Sequence, residues 1–466
     1  MKSGTFTKFL RDFKTAITGT EHNFTSGSLN RAIFMLAVPM ILEMVMESLF
    51  AVVDIYFVSK VSVDAVATIG LTESVIMIVF AIAIGISMAA SAMVARRIGE
   101  NKPGEAADAA WQSIILGISI SAILGVSGLL YAPDILRAMG GSEQLIAQGQ
   151  NYTRWMFGGN LTIMLLFLIN AVFRGAGDAS LAMRALWLAN GINMILDPIL
   201  IHGWGPIPAM GVEGAAIATT IGRGTGVLYQ LYHLFNHGSV ISLKRENIVF
   251  RPKLIFRLIK VSLGGIGQYL IGTASWIFLV RIISIFGSEV VAGYTISFRI
   301  IMFTILPSWG LSNAASTLVG QNLGAGKPDR AERSVWRSSQ YNLVFMVVVA
   351  GILWIFASPL VSFFNADGKV LQTGITALKY ISVSYVFFSY GIVVSQAFNG
   401  AGDTRTPTKI NFFTYWIFQL PVAYLLSVTL NLGAEGVFMT IFGSISLAAI
   451  IFVATFKRGK WKQTII

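Results

Sequence analysis

Residues 95–113 read "ARRIGENKPGEAADAAWQS", and most of this pattern returns 225 residues later, at 320–338, as "GQNLGAGKPDRAERSVWRS". The identical positions are Gly99 and Gly324, Lys102 and Lys327, Pro103 and Pro328, Ala106 and Ala331, Trp111 and Trp336, and Ser113 and Ser338. In each copy a glycine suits the end of one helix, and a proline suits the first turn of the next. The chain is therefore predicted to contain the same helix–loop–helix unit twice.

The repeat extends well beyond this one loop. "VFRGAGDA" at 172–179 returns as "AFNGAGDT" at 397–404, again after 225 residues, and "GVEG" at 211–214 returns as "GAEG" at 433–436. Internal repeats of this kind build membrane transporters from two halves with parallel topology. We therefore expect two lobes related by a pseudo-twofold axis along the membrane normal.

The composition indicates that both halves lie in a membrane. Of the 466 residues, 55% are hydrophobic and 12% are charged, with a mean hydropathy of +0.71. A soluble domain carries about 25% charged residues, and uncharged runs of about 18 residues predict membrane-spanning helices. The predicted fold is an all-α polytopic membrane protein, and the absence of cysteine excludes disulfides and thiolate metal sites.

Twelve spans are predicted, six in each lobe, and are numbered here in chain order. They are 32–58, 65–95, 106–130, 147–173, 181–203, 209–236, 254–286, 290–320, 331–363, 370–398, 406–430 and 433–456. The predicted domains are an N-terminal amphipathic tail (1–31), a first lobe (32–236), a linker (237–253), a second lobe (254–456) and a basic tail (457–466).

Charge distribution predicts the topology. Lysine and arginine concentrate in the two tails and near the loops after the even-numbered spans, whereas the opposite side has only Lys60, Arg137 and Lys369. The positive-inside rule then places both termini in the cytoplasm. The formal net charge of +12 is thus explained by membrane topology, and we expect no nucleic-acid partner. The predicted location is the plasma (inner) membrane, which the chain crosses many times.

Acidic residues within the spans distinguish the two lobes. Glu43, Glu47 and Asp54 lie within about 40° of one another on one face of span 1, and Asn193 precedes Asp197 by four residues in span 5. The repeat places Leu279 opposite Asp54 and Leu420 opposite Asp197. Carboxylates within membranes are costly and are usually functional, so an ion site is predicted in the first lobe alone.

Several roles remain open for these residues. The two aspartates should lie at similar depth, where the hydroxyl of Thr219 or Thr220 could join them to hold Na⁺ or a proton. Alternatively, Asp54 could form a structural ion pair, for which the candidate arginines are Arg223, Arg281 and Arg299. Glu73 is expected to form a structural pair, and Glu43 either lines a cavity or is structural. The predicted bending points of spans 1 and 5 are Pro39 and Pro198.

At this point the motifs resemble those of a known family. "VVDIYFV", "FRGAGDA", "NMILDPILI", "GAAIATT" and "LVGQNLGAGKPDRA" are similar to segments of the multidrug and toxic compound extrusion (MATE) transporters, DinF-type branch. The resemblance covers about residues 30–456. It implies an antiporter, and not an enzyme, that exports organic cations or amphipathic compounds in exchange for H⁺ or Na⁺ without a cofactor. The protein is expected to act as a monomer in the lipid bilayer.

The resemblance also implies roles for individual residues. The first-lobe cation site would consist of Asp54, Asn193, Asp197 and Thr219, and the first three would be the ligands of Na⁺. The predicted substrate cavity contains Glu43, Glu47, Tyr152, Asn170 and Gln268. Gln268 stands where the NorM-type pattern has second-lobe acids, and span 10 has no carboxylate, so coupling through the second lobe is not expected.

Two other functions compete with antiport. A lipid-linked oligosaccharide flippase of the same superfamily would need a basic cavity, for which the chain offers Arg223, Arg281, Arg299 and Lys379 within spans. A membrane scaffold or channel is the other alternative. The acidic face of span 1 argues against the flippase, and acids confined to one repeat argue against the scaffold.

Overall fold

The computed structural model describes residues 3–19, 24–58, 63–236, 239–364 and 366–466. Lys60, parts of the predicted N-terminal tail and the first two residues of the predicted linker lie outside these ranges. The described residues are almost entirely helical. This follows from the apolar composition, because within lipid a helix satisfies the backbone hydrogen bonds of its own segment.

The first lobe contains six helical spans, preceded by the tail helix Ser3–Thr18. Span 1 is Leu29–Val58, span 2 is Val63–Gly99, span 3 is Pro103–Ala138, span 4 is Glu143–Gly158 followed by Asn160–Ala176, span 5 is Ala179–His202 and span 6 is Gly211–Phe235. Phe9 of the tail helix packs edge-on against Phe34 of span 1, with ring centroids 5.7 Å apart.

The second lobe repeats this order. Span 7 is Pro252–Ile283, span 8 is Ser288–Gly324, span 9 is Pro328–Ile355, span 10 is Gly368–Val383 followed by Tyr385–Ala401, span 11 runs from Arg405 to Thr429 and span 12 is Gly433–Lys457. The loop between the lobes contains the short helix Arg245–Asn247, and Lys460–Gln463 follows span 12.

The spans differ in how apolar they are. By length and composition, ten described spans are able to cross a membrane, and span 10, bent by 55° between its two helices, makes eleven. Span 6 is the twelfth and is less apolar. It packs against spans 1, 2, 4 and 5 and buries polar side chains, among them Thr219, Arg223 and Gln230. Span 6 is thus apolar where it meets lipid and polar where it faces its own lobe.

The chain breaks the fourth span of each lobe at equivalent residues, a detail absent from the predicted spans. The first lobe breaks at Gly159 and the second at Ser384, which are 225 residues apart. Span 11 departs from this symmetry, because it contains two π-helical stretches, Phe412–Gln419 and Leu425–Thr429. The helices of spans 1 and 5 continue without a break through Pro39 and Pro198.

Glycines bring the two lobes together in pairs that obey the repeat. A Cβ on Gly99 would lie 2.0 Å from the carbonyl oxygen of Gln321, and one on Gly324 would lie 2.1 Å from that of Arg96. Nearer the middle of the helices, Gly85 packs on the backbone of span 7 and Gly310 on that of span 1. These contacts lie between the middle of the molecule and the face that carries both tails, which we call the tail side.

Each copy of the opening motif also binds the tail that belongs to the other lobe. Lys327 donates to the carbonyl oxygen of Thr25 (2.9 Å), and Arg330 donates to those of Phe24, Ser26 and Gly27 (3.3, 2.8 and 3.0 Å). In the first lobe, Arg96 donates to Thr464 (2.9 Å) and Arg97 to Ile466 (3.4 Å). The tails therefore cross between the lobes on the tail side.

Candidate functional site

The three acidic residues on one face of span 1 have different surroundings. Glu43 is 2% exposed and accepts hydrogen bonds from Arg174 (2.6 Å) and Asn170 (3.0 Å). Glu47 is half-buried and accepts one from Asn190 (3.0 Å). Asp54 is half-buried, and its charge interacts with that of Arg223. The shared helical face therefore divides into a tightly paired end and an end where Asp54 faces an arginine.

Asp197 lies in a pocket of acceptors that lack donors. It is fully buried, and neither of its carboxylate oxygens has a hydrogen-bond partner within the described residues. One turn away, Asn193 uses its amide nitrogen to donate to the hydroxyl of Thr219 (3.1 Å), which leaves its amide oxygen without a donor in the same part of the chain. A buried acceptor without a partner costs about 1–3 kcal/mol, and an ionised one costs more. The pocket therefore fits a bound monovalent cation or proton.

The residues predicted for cation binding come together from spans 1, 5 and 6. Asp54 and Asp197 are close enough for their charges to interact, and Asn193 and Thr219 are hydrogen-bonded to each other. We call Asp54, Asn193, Asp197 and Thr219 the carboxylate cluster. No group of three or more His, Cys, Asp or Glu side chains is arranged to hold a metal ion among the residues that the structure describes, so any ion here would bind to carboxylate and neutral oxygens.

Of the three arginines considered as partners of Asp54, the structure brings Arg223 to the cluster. Arg223 is 8% exposed, and its charge interacts with Glu47, Asp54 and Glu73. Arg281 and Arg299 belong to the second lobe and are exposed. The guanidinium of Arg223 lies 5.9 Å from the ring centroid of Phe50 and 5.7 Å from that of Phe80. A resident positive charge therefore lies beside the predicted cation site.

The predicted cavity residues of the first lobe separate into two places. Tyr152 is buried beside the carboxylate cluster, since its hydroxyl interacts with Asp54, Asp197 and Arg223. Asn170 instead joins Glu43 to Gln230, whose side chain donates to the amide oxygen of Asn170 (2.5 Å). We call Glu43, Asn170, Arg174 and Gln230 the Glu43 network. Sequence reasoning missed Arg174 and Gln230, although the repeat shows where Arg174 differs from its counterpart.

The second lobe replaces the charged pair of the Glu43 network with a neutral pair. Gln268 occupies the position equivalent to Glu43, and Asn399 the position equivalent to Arg174. The two amides donate to each other (3.0 and 3.2 Å), and Gln268 also donates to the carbonyl oxygen of Thr404 (3.0 Å). The same site in the fold thus holds an ion pair in one lobe and an amide pair in the other.

The counterparts of the two aspartates are apolar in three dimensions as well as in sequence. Leu279 is 3% exposed and belongs to the second lobe's hydrophobic core, against which Leu420 packs. The fold therefore accommodates apolar residues at both positions. The charge asymmetry seen in the sequence is retained around the equivalent helices of the structure.

Comparison with known proteins places this architecture in a family. The MatE family model matches residues 39–199 and 265–425, once in each lobe. The relatives include a "Probable multidrug resistance protein NorM" of Thermotoga maritima, 26% identical over 93% of this chain and 94% of the relative. Another is an "FAD transporter" of Shewanella oneidensis, 25% identical over 87% and 89%.

A solved structure has the same fold over nearly the whole chain. It is described as the "Outward-facing conformation of a multidrug resistance MATE family transporter of the MOP superfamily". Its TM-score to this protein is 0.89 at 26% identity, with 96% of this chain and 99% of the other covered. The similarity therefore includes both lobes and their relative arrangement.

Proposed function

The chain belongs to the MatE family, and we propose that it is a secondary active exporter of cationic or amphipathic compounds, driven by exchange with H⁺ or Na⁺. The observation that carries the proposal is the fully buried Asp197, whose oxygens lack donors within the described residues, in a lobe whose repeat has leucine at that position. The relatives' printed names support export of small molecules. We further propose that the protein acts as a monomer in the plasma membrane.

We assign the tail side to the cytoplasm, because lysine and arginine concentrate there. The close glycine contacts between the lobes lie on this side, so the described conformation is closed to the cytoplasm and corresponds to the outward-facing state. Export then requires the lobes to separate on the tail side, where substrate would enter. Similarity to a structure described as outward-facing supports this assignment.

The carboxylate cluster would couple the ion to the motion of the lobes. A ligand shifts a conformational equilibrium only by its difference in affinity for the two states. Burying an unpaired carboxylate costs several kcal/mol, so a proton or cation favours the state in which Asp197 is buried. Asn193 and Asp197 would contact the ion, and Pro39 and Pro198 are proposed as the points where spans 1 and 5 bend.

The surroundings of Arg223 weigh against an oligosaccharide flippase. This arginine faces Glu47, Asp54 and Glu73, so it does not provide a basic cavity in the first lobe. In the second lobe, Lys379 lies over the ring of Trp354, 4.8 Å from its centroid. The acidic surroundings in the first lobe favour cationic substrates.

Transport by purified protein in liposomes tests the proposal. A fluorescent organic cation should be exported when ΔpH or a Na⁺ gradient is applied, each tested separately. Asp54→Asn and Asp197→Asn should each abolish coupled export, while the protein remains folded in the membrane because Leu279 and Leu420 occupy the equivalent positions. Wild-type rates in both variants would reject the coupling site, and no export under either gradient would reject the function.

A further inference from the structure

We propose that Arg223 determines the ion specificity of the carboxylate cluster by acting as a resident counter-cation that opposes Na⁺ binding. This inference rests on the proposed function, because it concerns which ion the antiporter uses. It assigns to Arg223 an effect on the ion through charge, without direct contact with substrate.

Arg223 is placed and buried in a way that an ordinary structural arginine is not. It is 8% exposed, and its Nη1 has no hydrogen-bond partner within the described residues. The guanidinium lies near the rings of Phe50 and Phe80, which contribute cation–π attraction but accept no proton. The positive charge is therefore held in the lobe without the hydrogen-bonded carboxylate that neutralises Arg174.

Charged groups on the neighbouring spans face this guanidinium. Glu47 and Asp54 come from span 1, Glu73 from span 2 and the hydroxyl of Tyr152 from span 4. On span 5, the charge of Asp197 interacts with that of Asp54. Arg223 therefore offsets Asp54 and its neighbours, whereas Asp197 and Asn193 keep acceptors without donors among the described residues.

A permanent charge at this position acts differently on the two candidate ions. An arginine keeps its proton in proteins, and two unit charges several ångströms apart interact strongly within a protein. Na⁺ gains only electrostatic attraction from oxygen ligands, so a nearby guanidinium directly reduces its affinity. A proton forms a covalent O–H bond with a carboxylate, which leaves H⁺ as the ion of the two that the cluster accepts.

Na⁺ binding to the full-length protein tests this inference without any transport assay. The thermal unfolding midpoint of the purified protein in lipid nanodiscs would be measured as NaCl replaces choline chloride at constant ionic strength and pH. We expect no Na⁺-specific shift up to about 100 mM for the wild type and Arg223→Lys, which keeps the charge. Arg223→Gln should acquire a saturable Na⁺-dependent shift, with affinity increased about tenfold or more.

Matched variants locate the effect. Arg299→Gln removes an arginine of the second lobe and should behave as the wild type does. Adding Asp197→Asn to Arg223→Gln should abolish the acquired Na⁺ response. If Arg223→Gln does not fold, Arg223→Met preserves the length of the apolar side chain and serves in its place.

Two results would overturn the inference. One is a saturable Na⁺ shift in the wild type at millimolar concentrations, which needs no variant to interpret. The other is a folded Arg223→Gln or Arg223→Met protein that shows no more Na⁺ response than the wild type. Failure of the proposed function would be seen separately, as absence of wild-type export under both ΔpH and a Na⁺ gradient.

Discussion

At the scale of single residues, the repeat acts as a natural double substitution. Glu43 and Arg174 form a buried ion pair in the first lobe, and Gln268 and Asn399 form a reciprocal amide pair at the equivalent positions of the second. A buried ion pair is often no more stable than neutral residues that fit the same space, whereas removing one partner leaves an unpaired buried charge. The second lobe shows which neutral residues fit.

This comparison predicts a compensating pair of substitutions. Glu43→Gln leaves Arg174 without its carboxylate, and Arg174→Asn leaves Glu43 charged and buried, so each should reduce stability by up to about 3 kcal/mol. The double variant Glu43→Gln/Arg174→Asn should recover most of this loss, because it reproduces the amide pair of the second lobe. Thermal unfolding of the four proteins measures the coupling. Additive losses in the double variant would show that the two sites are not equivalent.

At the scale of helices, the crossing of spans 2 and 8 depends on glycine. The backbone of span 8 lies against Gly99 and that of span 2 lies against Gly324, so neither position has room for a side chain in the described conformation. Span 8 adds hydrogen bonds across the same interface, from Thr317 to the carbonyl oxygen of Arg174 (3.1 Å) and from Gln321 to that of Gly175 (3.0 Å). Closure on the tail side therefore depends on close backbone approach.

A methyl group at this crossing should oppose closure. Gly99→Ala and Gly324→Ala place a Cβ about where a carbonyl oxygen lies, and such overpacking typically costs 1–3 kcal/mol. Both variants should shift the population towards conformations open on the tail side, as measured by spin-label distances between the lobes on that side. Gly104→Ala is the matched control, because a Cβ there would have no neighbour within 4 Å. An unchanged distance distribution in both variants would contradict the role of the crossing.

At the scale of the whole molecule, the exchanged tails extend the contact between the lobes. Residues 24–27 are held by Lys327 and Arg330 of the second lobe, and residues 464–466 are held by Arg96 and Arg97 of the first. The segment before residue 464 is itself attached to span 9, since Lys462 forms an ion pair with Glu332 (2.6 Å). Each tail therefore connects its own lobe to the other.

The attachment of Lys462 should not act as a physiological pH switch. The hydrogen bond to the Glu332 carboxylate raises the pKa of Lys462 above its ordinary value. A raised pKa means that the stabilisation is fully present below the ordinary lysine pKa and is lost only as the pH rises through the higher value. Spin-label distances from residue 464 to span 9 should therefore be constant between pH 6 and pH 9, whereas a change in this range would contradict the assignment.

Removing the most extensive tail contact should loosen the closed state. Arg330→Gln loses donors to carbonyl oxygens of residues 24–27, so distances between the lobes on the tail side should broaden and increase. Arg333→Gln is the control, because Arg333 donates to the carbonyl oxygen of Asp329 in its own helix (3.3 Å). Equal distributions in both variants would show that the tails do not contribute to closure.

The sequence by itself determined the membrane class, the two repeats and the asymmetry of acidic residues. Long apolar runs allow few structures other than helices in lipid, and the 225-residue repeat requires two similar lobes. Asp54 and Asp197 were identifiable because the repeat offers an internal comparison, in which Leu279 and Leu420 take their places. These features depend on composition and spacing along one chain, so no knowledge of packing was needed.

The tertiary structure decided which partner each buried charge has. The sequence left Arg223, Arg281 and Arg299 equally available to Asp54, and the packing of span 6 against span 1 selects Arg223. Likewise, Glu43 pairs with Arg174, 131 residues away in the sequence, and each tail crosses to the other lobe. The reason is physical: helical periodicity specifies which residues share a face, but the neighbouring face depends on how helices distant in sequence pack together.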